Sequence, residues 1–186
     1  MCMLDNYLLQ IPEDFQRKLR ILHSVDGANS NLSVKEICRL SGISRSTFYR
    51  YFDSQEDFCY WYIIFCSSIS LDQVGRTRTW NEGMKHFYQL LEQEKSALKV
   101  CAEWNSDYGV AYIESHRKQV LTETLLKFRG LKLNDLLEFQ IAHYIRLEVW
   151  STFKWLRSNN AQPASTFAEQ LETCVPSLLH DSLSLS

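Results

Sequence analysis

Apolar residues recur at intervals of three or four positions along most of the 186-residue chain, and this spacing predicts helices. The first stripe, Phe15, Leu19 and Leu22, follows Pro12, a residue favoured in the first turn of a helix. No segment alternates between apolar and polar residues as a half-buried strand does. Only six glycines and three prolines interrupt the pattern, and we therefore predict an all-α fold.

Two short helices joined by a tight turn are predicted near the N terminus. Ser33, with a glutamate three residues later, forms a capping box that begins the first of them. Gly42 suits the left-handed residue that ends this helix, and Ser44 can cap the next one. On a helical wheel, Phe48 and Phe52 then share one side of the second helix, where they can anchor it to a core. The sequence predicts a helix-turn-helix.

The helices predicted after the second short helix are longer. Ser54 and Asp57 form another capping box, which opens a fourth helix expected to run to about Asp72, and the segment from Gly75 to Thr79 is a looser connection. Further helices are predicted at Asn81–Lys99, Asn105–Ser115, His116–Phe128, Leu133–Arg157 and Ser165 to about Leu179. We predict two domains: residues 1–58, with three helices that include the helix-turn-helix, and residues 59–186, a helical bundle.

Composition and charge restrict the partners of such a protein. The chain is 45% hydrophobic, enough for a core, and its net charge of -2 provides no overall attraction to nucleic acid or to an anionic membrane. The longest apolar run, Cys59 to Cys66, is less than half of the roughly 20 residues that a membrane-spanning helix needs. Scattered cysteines and no signal sequence predict reduced thiols and a cytoplasmic location. Binding to nucleic acid must therefore depend on a local patch.

Such a patch lies on the second short helix. Residues 39–52 contain three arginines and no acidic residue. The polar side of the helix carries Arg45, Ser46, Thr47, Tyr49 and Arg50. Arginine can fork onto guanine O6 and N7, and hydroxyl groups can reach phosphates or base edges. A supported helix with this exposed face is what entry into the DNA major groove requires.

The stretch LSVKEICRLSGISRSTFYRYFDSQEDF, about Leu32 to Phe58, resembles the DNA-binding domain of the TetR family of bacterial transcription regulators. The residues that agree with the family pattern are Ser33, Val34, Ile37, Gly42, Ile43, Ser44, Thr47, Tyr49, Tyr51, Phe52, Ser54, Glu56 and Phe58. The resemblance implies that Ser44, Arg45, Ser46 and Thr47 lie at the entrance to the groove. It also implies that Tyr49 and Arg50 touch phosphates and that Ser33 caps its helix at the DNA.

The chain departs from the family pattern at a few positions. Cys38 and Ser41 replace alanines and Ser46 replaces a common glycine, all small changes. Gln55 stands where the family usually has a lysine at the start of the fourth helix. We expect Gln55 at the DNA backbone, where the missing charge would weaken nonspecific affinity and reduce the salt dependence by about one unit of slope.

The resemblance also implies that the C-terminal domain dimerises and encloses an inducer pocket. The candidates for ligand contact are Trp104, Tyr108, Tyr112 and His143, because polar tips in an apolar wall would orient a ligand. Aromatic residues at helical spacing are more often core residues. The candidates for a dimer interface are Ile141, Tyr144, Ile145, Glu148, Phe167, Leu171 and Leu178. These could pack as a four-helix bundle across a two-fold axis, or they could only cover their own domain.

We therefore expect a homodimeric repressor that binds a pseudo-palindromic DNA operator and is released by an unidentified small-molecule effector. The alternative is a helix-turn-helix regulator that is controlled by a protein partner and has no cavity in its C-terminal core. An enzyme is not expected because the five histidines are far apart and no catalytic motif is present, and we expect neither a metal nor a cofactor. Cys38, Cys59 and Cys66 lie in apolar patterns typical of buried thiols, which disfavours redox sensing.

Overall fold

The computed structural model describes residues 12–29, 32–104 and 107–185, apart from the side chain of Tyr108. Helices account for its regular structure, and no β-strand occurs in these ranges, which confirms the predicted fold class. The helices are α1 (Glu13–His23), α2 (Val34–Ser41), α3 (Arg45–Tyr51), α4 (Gln55–Ser68), α5 (Trp80–Gln93), α6 (Lys95–Trp104), α7 (Asp107–Glu123), α8 (Asp135–Arg157), α9 (Ala164–Glu172) and α10 (Ser177–Leu183). A 3-10 turn, Leu71–Gln73, follows α4, and a π-helical turn, Thr124–Phe128, extends α7.

The predicted caps and turn of the helix-turn-helix are present, but Ser33 and Glu36 do not form the reciprocal capping box, because the Glu36 carboxylate pairs with Arg39. The Ser33 hydroxyl accepts a hydrogen bond from the Glu36 backbone N–H at 3.2 Å, and the Ser44 hydroxyl accepts one from the Thr47 N–H at 3.1 Å. Between them, Gly42 ends α2 in the left-handed region at φ 67°. These local bonds fix the turn that sets α3 against α2.

Helix α4 connects the helix-turn-helix to the rest of the chain. At its N-terminal end Phe58 packs edge-on against Phe52, with ring centroids 5.2 Å apart. Two residues later Tyr60 packs against Phe153 of α8 at 5.9 Å. The buried residues consequently form one continuous cluster from α1 to α10. The division at residues 58 and 59 remains a prediction.

Some predicted helix boundaries differ from the structure. The predicted helix Asn81–Lys99 is two helices, because α5 ends before Glu94, although no glycine or proline marks this break. Conversely, α7 runs continuously from Asp107 to Glu123 across the boundary predicted at Ser115. In the C-terminal region α5 packs against α9, and α8 packs against both α6 and α7. Helix α8 is therefore the central helix of this bundle.

The structure corrects the predicted dimer face. Ile141, Tyr144, Ile145 and Glu148 of α8, together with Leu171 of α9, are all buried inside the protomer. Phe167 is half-buried and its ring stacks on Trp155 with centroids 5.6 Å apart. Of the predicted residues only Leu178 is exposed, at 37%. The stripe on α8 thus covers its own protomer, as the alternative interpretation held.

A different set of large apolar side chains on α8 reaches the surface. It consists of Leu136, Phe139, Leu147 and Trp150, whose exposed fractions are 56, 60, 40 and 59%. With His143 between them, these residues recur at steps of three and four, so they line one outer side of the helix. We call them the outer α8 stripe.

Candidate DNA-binding surface

Hydroxyl groups and cations dominate the exposed side of α3. Arg45, Ser46 and Arg50 are exposed, Tyr49 is 55% exposed, and Thr47 is half-buried. The hydroxyl group of Ser44 lies 2.8 Å from that of Ser46 and 2.9 Å from that of Thr47. The N-terminal end of the helix thus offers a cluster of small donors and acceptors. The opposite side is held by Phe48 and Phe52, both buried, as predicted.

The arginines of this region differ in how their charge is compensated. Arg39 of α2 donates to both carboxylate oxygens of Glu36, at 3.0 and 2.6 Å, so its charge is locally neutralised. Arg45 and Arg50 have no carboxylate partner among the residues that the structure describes. The positive charges of Arg45 and Arg50 are therefore available to bind an anion, although the net charge of the chain is -2.

Gln55 has a structural role that the sequence did not predict. Its side-chain amide donates a hydrogen bond to the backbone carbonyl of Leu32, the residue before the cap of α2. The side chain is half-buried and ties the start of α4 to the start of the helix-turn-helix. The donor of Gln55 is therefore committed within the protein, and its position at the DNA backbone remains a prediction. Ser33 caps α2 as expected, and its contact with DNA remains a prediction.

The described part of the C-terminal core contains a small, partly enclosed cavity. Its volume is about 20 Å³, and its polar lining consists of Ser67, Arg117, Glu148 and Thr152. This is room for a water molecule. Pockets for small-molecule ligands are typically roughly 300–1,000 Å³.

The predicted ligand contacts do not line this cavity. Tyr112 is 52% exposed and lies in a surface groove beside Phe15 and Trp61. His143 is exposed, and its ring stacks on Phe139 with centroids 3.9 Å apart. Trp104 is half-buried against the core, and the side chain of Tyr108 lies outside the described residues. The structure therefore does not bring Trp104, Tyr112 and His143 together around an internal pocket.

A buried ionic network borders the cavity, and sequence reasoning missed it. The guanidinium of Arg117 donates to Glu148 at 2.8 and 3.1 Å and to Asp72 at 3.1 Å. Asp72 also accepts from the Ser67 hydroxyl at 2.7 Å and lies 3.2 Å from the His116 ring nitrogen. These residues come from α4, the 3-10 turn, α7 and α8, so no local spacing in the sequence predicts the network.

The charges of this network stabilise one another. Burial acts to lower the pKa of Arg117, but the neighbouring carboxylates of Glu148 and Asp72 outweigh it and raise that pKa. Burial acts to raise the pKa of Asp72, but the hydrogen bond from His116 and the charge of Arg117 outweigh it and lower that pKa. Both groups are therefore ionised at neutral pH, and the bonds of Arg117 go to carboxylates of the protein.

The thiols of the described chain are mostly buried. Cys38, Cys59 and Cys66 are buried as predicted, and burial raises the pKa of the Cys38 and Cys66 thiols, which disfavours reactive thiolates. Within the described ranges, histidine, cysteine and carboxylate side chains form no group of three or more placed for a metal ion. No helix in the same ranges is long and apolar enough to cross a membrane.

Comparisons with known proteins agree with this geometry. A family model described as the helix-turn-helix domain of resolvase matches residues 30–55. The solved structure named "Dihydroxyacetone kinase operon activator DhaS" is similar with a TM-score of 0.57 and 15% identity, covering 90% of this chain and 96% of that chain. No curated protein sequence matches the chain. The chain thus contains a helix-turn-helix within an all-α fold like that of this activator.

Proposed function

We propose that the protein is a cytoplasmic DNA-binding transcription regulator of TetR type, in which residues 1–58 bind DNA and residues 59–186 regulate and dimerise. The observation that carries the proposal is the exposed face of α3. It presents the uncompensated cations Arg45 and Arg50 beside the hydroxyl cluster at Ser44. The turn before α3 is fixed by the caps at Ser33 and Ser44 and by the left-handed Gly42.

Within this proposal, the two ends of α3 have different roles. Arg45, Ser46 and Thr47, beside the cap residue Ser44, enter the major groove and read base edges. Farther along the helix, Tyr49 and Arg50 contact backbone phosphates, which position the protein without reading sequence. Ser33 contributes from the cap of α2.

The regulator acts as a homodimer on a pseudo-palindromic operator, with its two α3 helices about 35 Å apart so that they enter successive major grooves. The outer α8 stripe supports this proposal, because its four large apolar side chains are 40–60% exposed in the protomer. An exposed stripe at helical spacing is suited to pack against its own copy across a two-fold axis. This stripe replaces the buried residues that the sequence indicated.

The regulatory input has two candidate forms. The first is a small-molecule effector that releases a repressor from its operator, which requires an internal pocket larger than the present cavity. The second is a protein partner, and the 20 Å³ cavity supports it, since the network around Arg117 already fills the polar core. The similar protein of known structure is named as an activator. A reporter assay with the gene present and deleted distinguishes repression from activation here.

Selection from a random duplex library tests the proposal directly. We expect an enriched pseudo-palindrome, and fluorescence anisotropy should then show that Arg45→Ala relaxes base preference by about 1–3 kcal/mol at one position of each half-site. Arg50→Ala should weaken binding evenly across sequences. Lys35→Ala, on the exposed side of α2, is the matched control. Failure of the wild-type protein to enrich any duplex would refute the proposal.

A further inference from the structure

The hydroxyl group of Tyr51 lies between two guanidinium groups. Arg50, its neighbour at the end of α3, donates to the hydroxyl oxygen at 2.7 Å, and its guanidinium also lies 4.9 Å from the Tyr51 ring centroid. Arg17 of α1 donates to the same oxygen at 3.3 Å. Two cations from different helices therefore converge on one half-buried side chain.

This arrangement leaves the tyrosine with a free donor. A phenol oxygen can accept hydrogen bonds and also carries one O–H donor. Arg17 and Arg50 both donate to this oxygen, and no acceptor for the O–H of Tyr51 is found among the described residues. Repulsion by the two guanidinium groups favours an O–H directed away from both, and an acceptor placed there would lie beside two positive charges. Such a position favours an oxyanion.

We propose that Arg17, Tyr51 and Arg50 form a clamp for one phosphate group of the DNA backbone. The clamp rests on the proposed function, and it extends the DNA-binding surface from α3 to α1, which sequence reasoning did not include. A phosphate suits it better than a base edge. Three donors from two helices can surround a tetrahedral oxyanion, whereas the residues suited to reading bases lie at the other end of α3.

Glu13 acts as a competitor for Arg17 in the absence of DNA. It lies one turn before Arg17 on α1 and accepts hydrogen bonds from two nitrogens of its guanidinium. The pair is exposed, and such surface pairs contribute little to stability. A phosphate can therefore replace the carboxylate at low cost. Removal of the Glu13 charge should tighten DNA binding, because it frees Arg17 and removes a repulsion.

The test uses the full-length protein and the duplex obtained by selection, with Kd measured from 50 to 300 mM salt. Arg17→Gln should make the slope of log K against log salt shallower by about 1.8, since each of two protomers loses one contact worth about 0.9. Tyr51→Phe keeps the ring and should weaken binding about tenfold or more on specific and random duplexes alike. Glu13→Gln should strengthen binding. Arg20→Gln removes an equal charge from the exposed side of the same helix and is the control.

The outcomes separate the clamp from the proposed function. If the wild-type protein binds and Arg17→Gln changes the slope no more than Arg20→Gln does, the clamp is wrong and the proposed function stands. If the wild-type protein binds no duplex, both are wrong. Circular dichroism and thermal unfolding of each variant show that it is folded. Arg17→Lys provides a second check, because it should keep most of the slope while losing part of the affinity.

Discussion

Replacement of Arg117 by methionine should destabilise the protein strongly at neutral pH. The side chain is 2% exposed and makes three hydrogen bonds to two carboxylates, from Glu148 and Asp72. Methionine fills a similar length but leaves both carboxylates buried without their cation. Breaking a buried ion pair from one side costs about 3–5 kcal/mol. That loss is a large part of the roughly 5–15 kcal/mol by which a domain is stable.

The loss should depend on pH in a defined direction. In the wild-type protein the pKa of Asp72 lies below its ordinary value of 3.8, so its contribution to stability is present above that value and is lost only as the pH falls further. Without Arg117, only His116 and Ser67 oppose the effect of burial, so the pKa of Asp72 should lie above its wild-type value. Protonation then relieves part of the penalty, and the difference between wild type and variant should be smaller at pH 5.0 than at pH 7.5.

Urea unfolding followed by the fluorescence of the five tryptophans measures this difference at both pH values. Arg146→Met is the matched control, because Arg146 is exposed and its ion pair with Glu114 is long, at 4.0 Å. Its expected effect is within about 0.5 kcal/mol. A loss below 1 kcal/mol for Arg117→Met, or an equal loss at both pH values, would show that the network is not the ionised, mutually stabilising cluster described here.

Three other changes test separate parts of the structure. Trp150→Asp places a charge in the outer α8 stripe and should convert the proposed dimer into a 21.9 kDa monomer by light scattering, whereas a variant that stays dimeric would place the interface elsewhere. Gly42→Ala adds a side chain at φ 67° and should lower the free energy of unfolding by about 1–2 kcal/mol, and an unshifted thermal transition would contradict this. Gln55→Lys loses the bond to Leu32 but should steepen the salt dependence of DNA binding by about 0.9 per protomer; an unchanged slope would mean that no phosphate lies near.

The sequence was most informative where the interactions are local. The caps at Ser33 and Ser44 bond to backbone groups three residues away, and Gly42 lies at the turn itself. The residue types at these positions are therefore sufficient to predict the caps and the turn. The buried anchors Phe48 and Phe52 follow from the helical period in the same way. The helix-turn-helix was therefore predictable almost residue by residue.

The orientation of α8 could not be predicted because the helix is apolar on two sides. Its 23 residues include a buried stripe around Ile141 and Ile145 and an exposed stripe around Phe139 and Trp150. Periodicity shows that each stripe lies on one side of a helix, but it does not show which side faces the core. That choice depends on the shapes of α6 and α7, which pack against α8 from elsewhere in the chain.

The polar pairs between distant residues could not be predicted from the sequence for a related reason. Arg117 is 45 residues from Asp72 and 31 from Glu148 along the chain, and Gln55 is 23 residues from Leu32. Each of these side chains also fits an exposed position on an amphipathic helix. Burial of a charged side chain can be predicted only if its partner is known, because an unpaired buried charge is costly. The partners come together only in the folded protein.

The network gives the proposed dimer face a physical connection to the DNA-binding helices. Glu148 lies on α8, the helix that carries the outer stripe, and it bonds to Arg117, which bonds to Asp72. Asp72 in turn accepts from Ser67 at the end of α4, whose other end holds the helix-turn-helix through Gln55. Arg117, Asp72 and Glu148 are buried and paired with one another, so a shift of α8 would have to carry or break these bonds. The network thus gives α8 and α4 a contiguous path of buried polar contacts.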